Sequence, residues 1–332
     1  MRAPEFWSRS GWPALVLEPV AWCYSAAGLA RQALAGKPYR ASVPVICIGN
    51  LVTGGAGKTP TAITLARHLR QQGWTPHFLS RGYGGASRGP LKVDPRRHSA
   101  HDVGDEPLIL ARHATAWVSR DRVKGAKAAV ADGADVIVMD DGFQNPSLAK
   151  DLSLLVIDGA YGFGNARVLP AGPLREPVLH ALARAQGAVI VGEDRHGLAP
   201  LLKRGGLAVL AAAIEPQLDA LTLEGQPVFA FAGIGRPDKF YETLERLGAQ
   251  VVETRSFADH HRWRPNEIMA MVERAGALAA RLVTTEKDWV RLPDEARSMV
   301  LPVRISLVFR DPSALDAVLK TALAAPSSIA TV

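Results

Sequence analysis

Short apolar runs alternate with amphipathic ones along most of this chain. Residues 43–48, 76–79, 116–119, 136–139, 152–157, 188–191 and 207–211 are runs of the length and composition of buried strands. Between them, 59–72, 106–113, 122–132 and 198–204 carry apolar positions at helical spacing. Strands and helices in alternation make a parallel sheet with crossover helices. A smaller set follows, with strands at 228–231, 250–254 and 281–285 and helices at 238–247 and 265–275. The pattern predicts an α/β fold in two parts, with the break at 213–226, giving domains at 41–220 and 221–332. Residues 312–323 read as one more helix, which belongs to the second part or packs back on the first.

Residues 12–34 break the alternation. They are apolar, anchored by Trp12, Trp22 and Tyr24, and flanked by Arg2, Arg9, Arg31, Lys37 and Arg40. Glu18-Pro19 interrupts the stretch, and it runs straight into the first strand, which argues against a secretory signal. A spanning helix needs about 20 apolar residues, and the central Glu18 and Pro19 argue against one. Two readings remain for region 1–40. One is an amphipathic helix lying in a membrane interface, with tryptophans and arginines at headgroup depth; the other is a helix packed on the protein's own core. The flanking arginines favour the membrane.

With 332 residues, the chain can bury a sizeable core in each of two domains, and no internal repeat or low-complexity tract is visible. Cys23 and Cys47 are the only cysteines, which argues against a disulfide framework or zinc cluster and for a reducing compartment. The net charge of +7 calls for an anionic partner: nucleic acid, an anionic membrane or a phosphorylated substrate. Its basic residues are scattered and aromatics sparse, which counts against nucleic acid.

The chemistry concentrates after the first strand. Thr53-Gly54-Gly55-Ala56-Gly57-Lys58-Thr59-Pro60 joins that strand to an amphipathic helix. Glycines let backbone N–H groups approach phosphate oxygens, and the helix N-terminus adds partial positive charge. Lys58 can reach the β- and γ-phosphates, and the Thr59 hydroxyl can ligate Mg²⁺. Val52 stands where the ordinary P-loop has its first glycine. The run is instead close to the deviant P-loop of MinD/ParA-like ATPases, with Thr53 in place of their signature lysine. These residues predict an ATP site in a P-loop NTPase-like sheet.

Four further clusters bear on chemistry. Val136-Ile137-Val138-Met139 runs into Asp140-Asp141-Gly142, a buried strand delivering a carboxylate to the sheet edge where such folds bind ligands. Asp140 would hold Mg²⁺ directly or through water, with Asp141 beside it. Asp105 and Glu106 open a helix, as a cap and dipole partner or as catalytic groups. Asp259-His260-His261 is a solvated loop or the source of an imidazole; two histidines and one acid do not make a structural metal site. Arg175, in the proline-stiffened run 169–177, suits stabilisation of a transferring phosphoryl group or a surface salt bridge. In Thr285-Glu286-Lys287-Asp288 the spacing of the guanine-specific Asn/Thr-Lys-x-Asp element fails.

Taken in order, these stretches resemble the tetraacyldisaccharide 4′-kinases, the lipid A pathway kinases of bacteria that build an outer membrane. The matching stretches are Gly49-Asn50-Leu51 with 54–60, Ser80 to Gly84, Gly104 to Pro107, Asp140 to Gln144, Gly162 to Asn165, Leu169 to Pro177, and Asp259-His260-His261. The resemblance reaches from the N-terminal helix to Lys287-Asp288 and implies two α/β domains meeting over a cleft. It implies transfer of the ATP γ-phosphate to the 4′-hydroxyl of a tetraacylated disaccharide 1-phosphate, giving lipid IVA. It also implies Asp105 and His260 as the base, with His260 preferred over His261, and Lys58 and Thr59 as P-loop ligands. Asp140, Asp141 and Glu106 would form the magnesium shell, and Arg175 would stabilise charge. Such an enzyme would work at the cytoplasmic face of the inner membrane, peripheral or monotopic, with no nucleic acid and no obligate protein partner. Because Asp105 and His260 fall in different parts of the chain, domain closure is expected to assemble the pair. The rival reading is a membrane-associated regulatory ATPase of the MinD/ParA kind, which the residue at position 53 argues against.

Overall fold

Every residue of Val45–Gly49 is buried, as are all those of Val136–Asp140 and Leu152–Asp158. Strands apolar on both faces belong in the middle of a parallel sheet, and these three lie side by side. The computed structural model describes residues 4–9, 11–217 and 222–324. Its strands are β1 (Val45–Gly49), β2 (Pro76–Ser80), β3 (Leu91–Lys92), β4 (Ala116–Val118), β5 (Val136–Asp140), β6 (Leu152–Asp158), β7 (Gly187–Val191) and β8 (Ala208–Pro216). They continue with β9 (Pro227–Ala232), β10 (Gln250–Ser256), β11 (Arg281–Thr285), β12 (Leu301–Val303) and β13 (Ile305–Phe309).

Nine strands form one sheet in the order β13-β8-β7-β6-β1-β5-β2-β4-β3. All its pairings are parallel except those of the edge strands β13 and β3. Alternate residues of β1 face opposite ways: Ile46 and Ile48 pack with Leu65 and Phe78, and Val45 and Cys47 with Ile137 and Met139. Burying one such side chain contributes roughly 1.5–3 kcal/mol. Because β1 lies between β5 and β6, the C-terminal ends of all three meet at one edge.

The second sheet runs β10-β9-β11-β12, all parallel. Helix Pro237–Arg246 covers one face through Phe240, Tyr241 and Leu244, and helix Pro265–Ala277 the other through Ile268 and Met271.

The C-terminal part differs from expectation in its strands and its extent, while the last helix takes one of the two placements expected for it. β12 and β13 were not foreseen, and β13 returns to the large sheet, antiparallel to β8. Helix Pro312–Leu323 follows it, with Leu315 and Leu319 in the large sheet's core. The four-stranded sheet is therefore built from residues between 227 and 303, not from all of 221–332. β8 also runs to Pro216, into the expected break, while Arg2 and the junction at 220/221 lie outside the described residues.

The N-terminal helix spans Trp12–Ala33 and contains Pro19. It meets the protein through small residues, Ala14 and Ala21, and leaves Trp12, Leu15, Val16, Val20 and Trp22 exposed. Glu18 is turned inward to Arg167. The helix is apolar over its outer surface rather than divided into polar and apolar halves. Among the described residues, no helix is long and apolar enough to cross a membrane.

Candidate active site

At the end of β1 the chain turns through glycines into helix Lys58–Gln71. Gly57, the residue before Lys58, has φ 93, a left-handed conformation that glycine adopts without a Cβ penalty. This leaves the free N–H groups of the first helical turn facing the cleft. Lys58 is drawn back: its Nζ donates to Asn50 Oδ1 at 3.0 Å and lies 3.7 Å from Asp141 Oδ1. Burial pulls its ammonium below the ordinary lysine value, opposed by the charge of Asp141. Asn50 is fully buried and anchors the turn, its Nδ2 donating to the Val52 carbonyl.

Asp140, the last residue of β5, accepts a hydrogen bond from Thr59 Oγ1 at 3.1 Å. Its other oxygen, Oδ1, is buried without a partner. Burial first, then the neighbouring charge of Asp141, raises its carboxyl to about 7. An orphaned hard oxygen next to a threonine hydroxyl fits a magnesium ion, which takes one or two protein oxygens and completes its shell from phosphates and water. Among the described residues there is no cluster of three or more His, Cys, Asp or Glu side chains that could hold a metal ion. Asp141 has φ 53 and points to Lys58 and Arg175, with Arg175 Nη1 donating to its Oδ1 at 2.8 Å. Burial pushes the Asp141 carboxyl up, but the two cations outweigh it and hold it below the ordinary carboxylate range.

Arg175 is delivered by a loop tied to the P-loop. Thr53 N–H and Oγ1 both donate to the Pro173 carbonyl, at 2.9 and 3.2 Å, and Arg175 N–H donates to the Leu51 carbonyl at 2.7 Å. Thr53 thus holds the arginine loop, at the position where the MinD/ParA-like ATPases carry their lysine. The next residue, Glu176, is buried and accepts from Arg184, Gln144 and His180.

The Asp–His pair faces the P-loop from the other side of the cleft. His260 Nδ1 lies 2.9 Å from Asp105 Oδ2. Asp105 is 5% exposed, and it is His260 that lines the cleft. His261 turns away, against Phe257 and Trp263, with its Nε2 3.2 Å from Glu267. Asp105 and His260 already touch in this structure, so closure is not needed to bring them together. Lys287 Nζ lies 3.4 Å from His260 Nε2 and 2.8 Å from Glu106 Oε1. Burial works against both charges, yet each holds the other ionised: Glu106 is lowered by Lys287, and Lys287 is raised by Glu106. Glu106, expected in the magnesium shell, is here an ion-pair partner of Lys287.

P-loop, arginine and imidazole open into one cleft of ≈1310 Å³, whose wall also includes Tyr24 and Leu29 of the N-terminal helix. Asn50, Lys287 and Arg291, which lies 3.2 Å from Asp105, were given no role in the sequence reading. Asn50 stands inside a matched stretch and Lys287 at the end of the region the resemblance covers; Arg291 leaves no signal.

A glycine-rich cradle alone would serve hydrolysis as well as transfer. An acid–imidazole pair across the same cleft has the chemistry to receive an acceptor's proton, so the fold and site have the parts of a P-loop kinase. The family model for tetraacyldisaccharide-1-phosphate 4′-kinases matches residues 13–324. The tetraacyldisaccharide 4′-kinase of Rhodospirillum centenum is 54% identical over 326 residues, 96% of each chain. That of Rhodospirillum rubrum is 50% identical, covering 96% of this chain and 97% of its own. The crystal structure of LpxK from Aquifex aeolicus in complex with ATP superposes with a TM-score of 0.75 at 28% identity, covering 94% of this chain and all of that one. The chain belongs to the tetraacyldisaccharide 4′-kinase family.

Proposed function

We propose that this chain phosphorylates the 4′-hydroxyl of a tetraacylated disaccharide 1-phosphate from ATP, with His260 as proton acceptor and Asp105 behind it. Family membership makes it an ATP-dependent kinase of lipid A biosynthesis acting on an alcohol, with Mg²⁺ as cofactor. The observation that carries the residue assignment is the 2.9 Å contact of His260 with Asp105, in the cleft that holds the P-loop.

With Asp105 accepting the Nδ1 proton, the Nε2 lone pair faces the cleft, where Lys287 donates to it. An acceptor hydroxyl would take the place of Lys287 there and pass its proton to Nε2 as oxygen attacks phosphorus. Lys58 and Arg175 would meet the charge on the transferring phosphoryl group, and residues 53–60 would cradle the nucleotide. Asp140 and Thr59 would hold the magnesium ion, with Asp141 and Glu106 in its outer shell; the ion supplies charge neutralisation between the phosphates. The exposed apolar helix Trp12–Ala33 supports docking at a membrane surface, since an acylated substrate is held there by about 0.8 kcal/mol per buried CH₂. The reading places the enzyme at the cytoplasmic face of the inner membrane, as a peripheral or monotopic protein.

Transfer of labelled γ-phosphate from Mg-ATP to tetraacyldisaccharide 1-phosphate in mixed micelles tests this. Wild-type protein is expected to give labelled lipid, and Lys58→Ala and His260→Ala almost none. Release of free phosphate without lipid product would overturn it.

A further inference from the structure

Asp105 and His260 come from segments attached to different sheets, and the pair needs something to hold it in register. The side chain of Arg291, just beyond helix Glu286–Trp289, is 6% exposed and reaches Asp105 and the backbone that supports His260. Its Nε donates to the Lys287 carbonyl at 3.1 Å and stands at ion-pair distance, 3.2 Å, from Asp105 Oδ2, the same oxygen that contacts His260 Nδ1. Its Nη2 donates to the Gly233 carbonyl at 3.0 Å, and Nη1 to the His261 carbonyl at 3.3 Å. The Gly233 carbonyl also accepts the His260 N–H at 3.1 Å. One guanidinium therefore pairs electrostatically with the carboxylate of the pair and hydrogen-bonds the backbone that carries the imidazole. His260 has φ 58, a left-handed conformation that a non-glycine residue keeps only where its surroundings over-determine it.

A blander account exists. Asp288 is fully buried and needs a countercharge, which Arg291 Nη2 supplies at 3.0 Å. That explains the burial of the guanidinium, and the Nε bond to the Lys287 carbonyl helps set its orientation, but neither needs the charge to stand 3.2 Å from Asp105 Oδ2. Only a planar fork with five donors can serve both carboxylates and three carbonyls; a lysine has the charge without the geometry. Arg291 stands behind the cleft wall rather than in it.

We propose that Arg291 is a positioning residue for acceptor activation, fixing Asp105 and the His260 backbone so that Nε2 stands in the cleft. The inference rests on the reading of Asp105 and His260 as the base. It is tested with Arg291→Lys, Arg291→Ala, Asp105→Ala and the Asp105→Ala/Arg291→Ala double variant, measuring kcat, both KM values and the thermal midpoint. Arg291→Lys keeps the charge against Asp288 and is expected to stay folded, with kcat down by roughly 10- to 100-fold and both KM values within about 2-fold. In the Asp105→Ala background, Arg291→Ala is expected to cost less than about 2-fold more, because there is no carboxylate left to position. If Arg291→Ala does not fold, the same cycle is run with Arg291→Lys. A folded Arg291→Lys variant with wild-type kcat, or an equal loss with and without Asp105, would overturn the inference. Asp105→Ala with undiminished kcat would instead overturn the base reading beneath it, and this inference with it.

Discussion

At the scale of single residues, Asp140 shows what the site gives up in stability. Its carboxyl rises from 3.8 to about 7 because it is buried, with a second carboxylate beside it. The sign is the reverse of a salt-bridged acid. The folded state binds this proton more tightly than the unfolded chain, so the contribution of Asp140 to stability declines as pH rises from about 4 to 7. A cation that needs the carboxylate ionised competes with the proton. Apparent Mg²⁺ affinity, read by calorimetry with nucleotide present, is expected to weaken roughly tenfold between pH 8 and pH 6. Affinity flat across that range would mean that Asp140 does not hold the ion. Asp140→Asn keeps an acceptor for Thr59 and removes the buried charge. It is expected to raise the thermal midpoint at pH 8 without Mg²⁺ while abolishing the Mg²⁺ response, a trade of function for stability. The neighbouring histidines separate by partner. His260→Ala is expected to lower kcat by roughly 10²- to 10⁴-fold with little change in ATP KM. His261→Ala, losing contacts with Phe257 and Trp263, is expected to lower the thermal midpoint and leave kcat within a few-fold.

Elements carry these residues, and their legibility in the sequence differs. β1 and β5 were readable because a run of buried apolar residues ending in glycine or aspartate has few other uses. The P-loop was readable because its chemistry needs glycines at fixed offsets. β12 and β13 were not, because Arg304 alone separates two strands that enter different sheets, with no turn residue marking the change. Arg291 was equally silent, since a guanidinium buried by a fold contact looks in sequence like any surface arginine. Asp105 and His260 could be paired beforehand only through the resemblance, because no local pattern encodes a contact across 155 positions. The arginine loop is the element where structure adds most. Its hold on Arg175 depends on Glu176, whose buried carboxylate answers Arg184, Gln144 and His180 at once. Glu176→Gln drops that charge and is expected to cost roughly 1–3 kcal/mol of stability, read from denaturant unfolding. It should lower kcat more than it alters ATP KM, because Arg175 meets charge that grows in the transition state. A kcat equal to wild type would separate the loop's stability from the arginine's placement.

Over the whole molecule, the N-terminal segment joins the surface to the site. Its helix exposes Trp12 at 75% and Trp22 at 67%, with Leu15, Val16 and Val20 between them. Contiguous apolar surface of this kind marks an interaction site rather than ordinary solvent-facing helix. The residues just before the helix do something different. Trp7 Nε1 donates to the Pro170 carbonyl at 3.1 Å, Asn165 N–H to the Trp7 carbonyl at 2.8 Å, and Asn165 Nδ2 to the Phe6 carbonyl at 2.9 Å. The first bond braces the loop that carries Arg175, and the other two hold Asn165, whose Nδ2 also donates to the Ala171 carbonyl of that loop at 2.9 Å. Deleting the first 35 residues would therefore remove a docking surface and a brace together, and its loss of activity could not be assigned to either. Two point variants separate them. Val20→Ser/Trp22→Ser leaves the brace intact and is expected to weaken sedimentation with anionic vesicles, while kcat at saturating substrate in micelles stays within about 2-fold, because only interfacial burial is lost. Trp7→Phe keeps the exposed face and removes one hydrogen bond to the loop. It is expected to leave vesicle binding unchanged and to lower kcat a few-fold, on the order of the 0.5–1.5 kcal/mol that one such bond contributes. Vesicle binding unaffected by the serine pair would remove the membrane reading of the helix, whatever Trp7→Phe does.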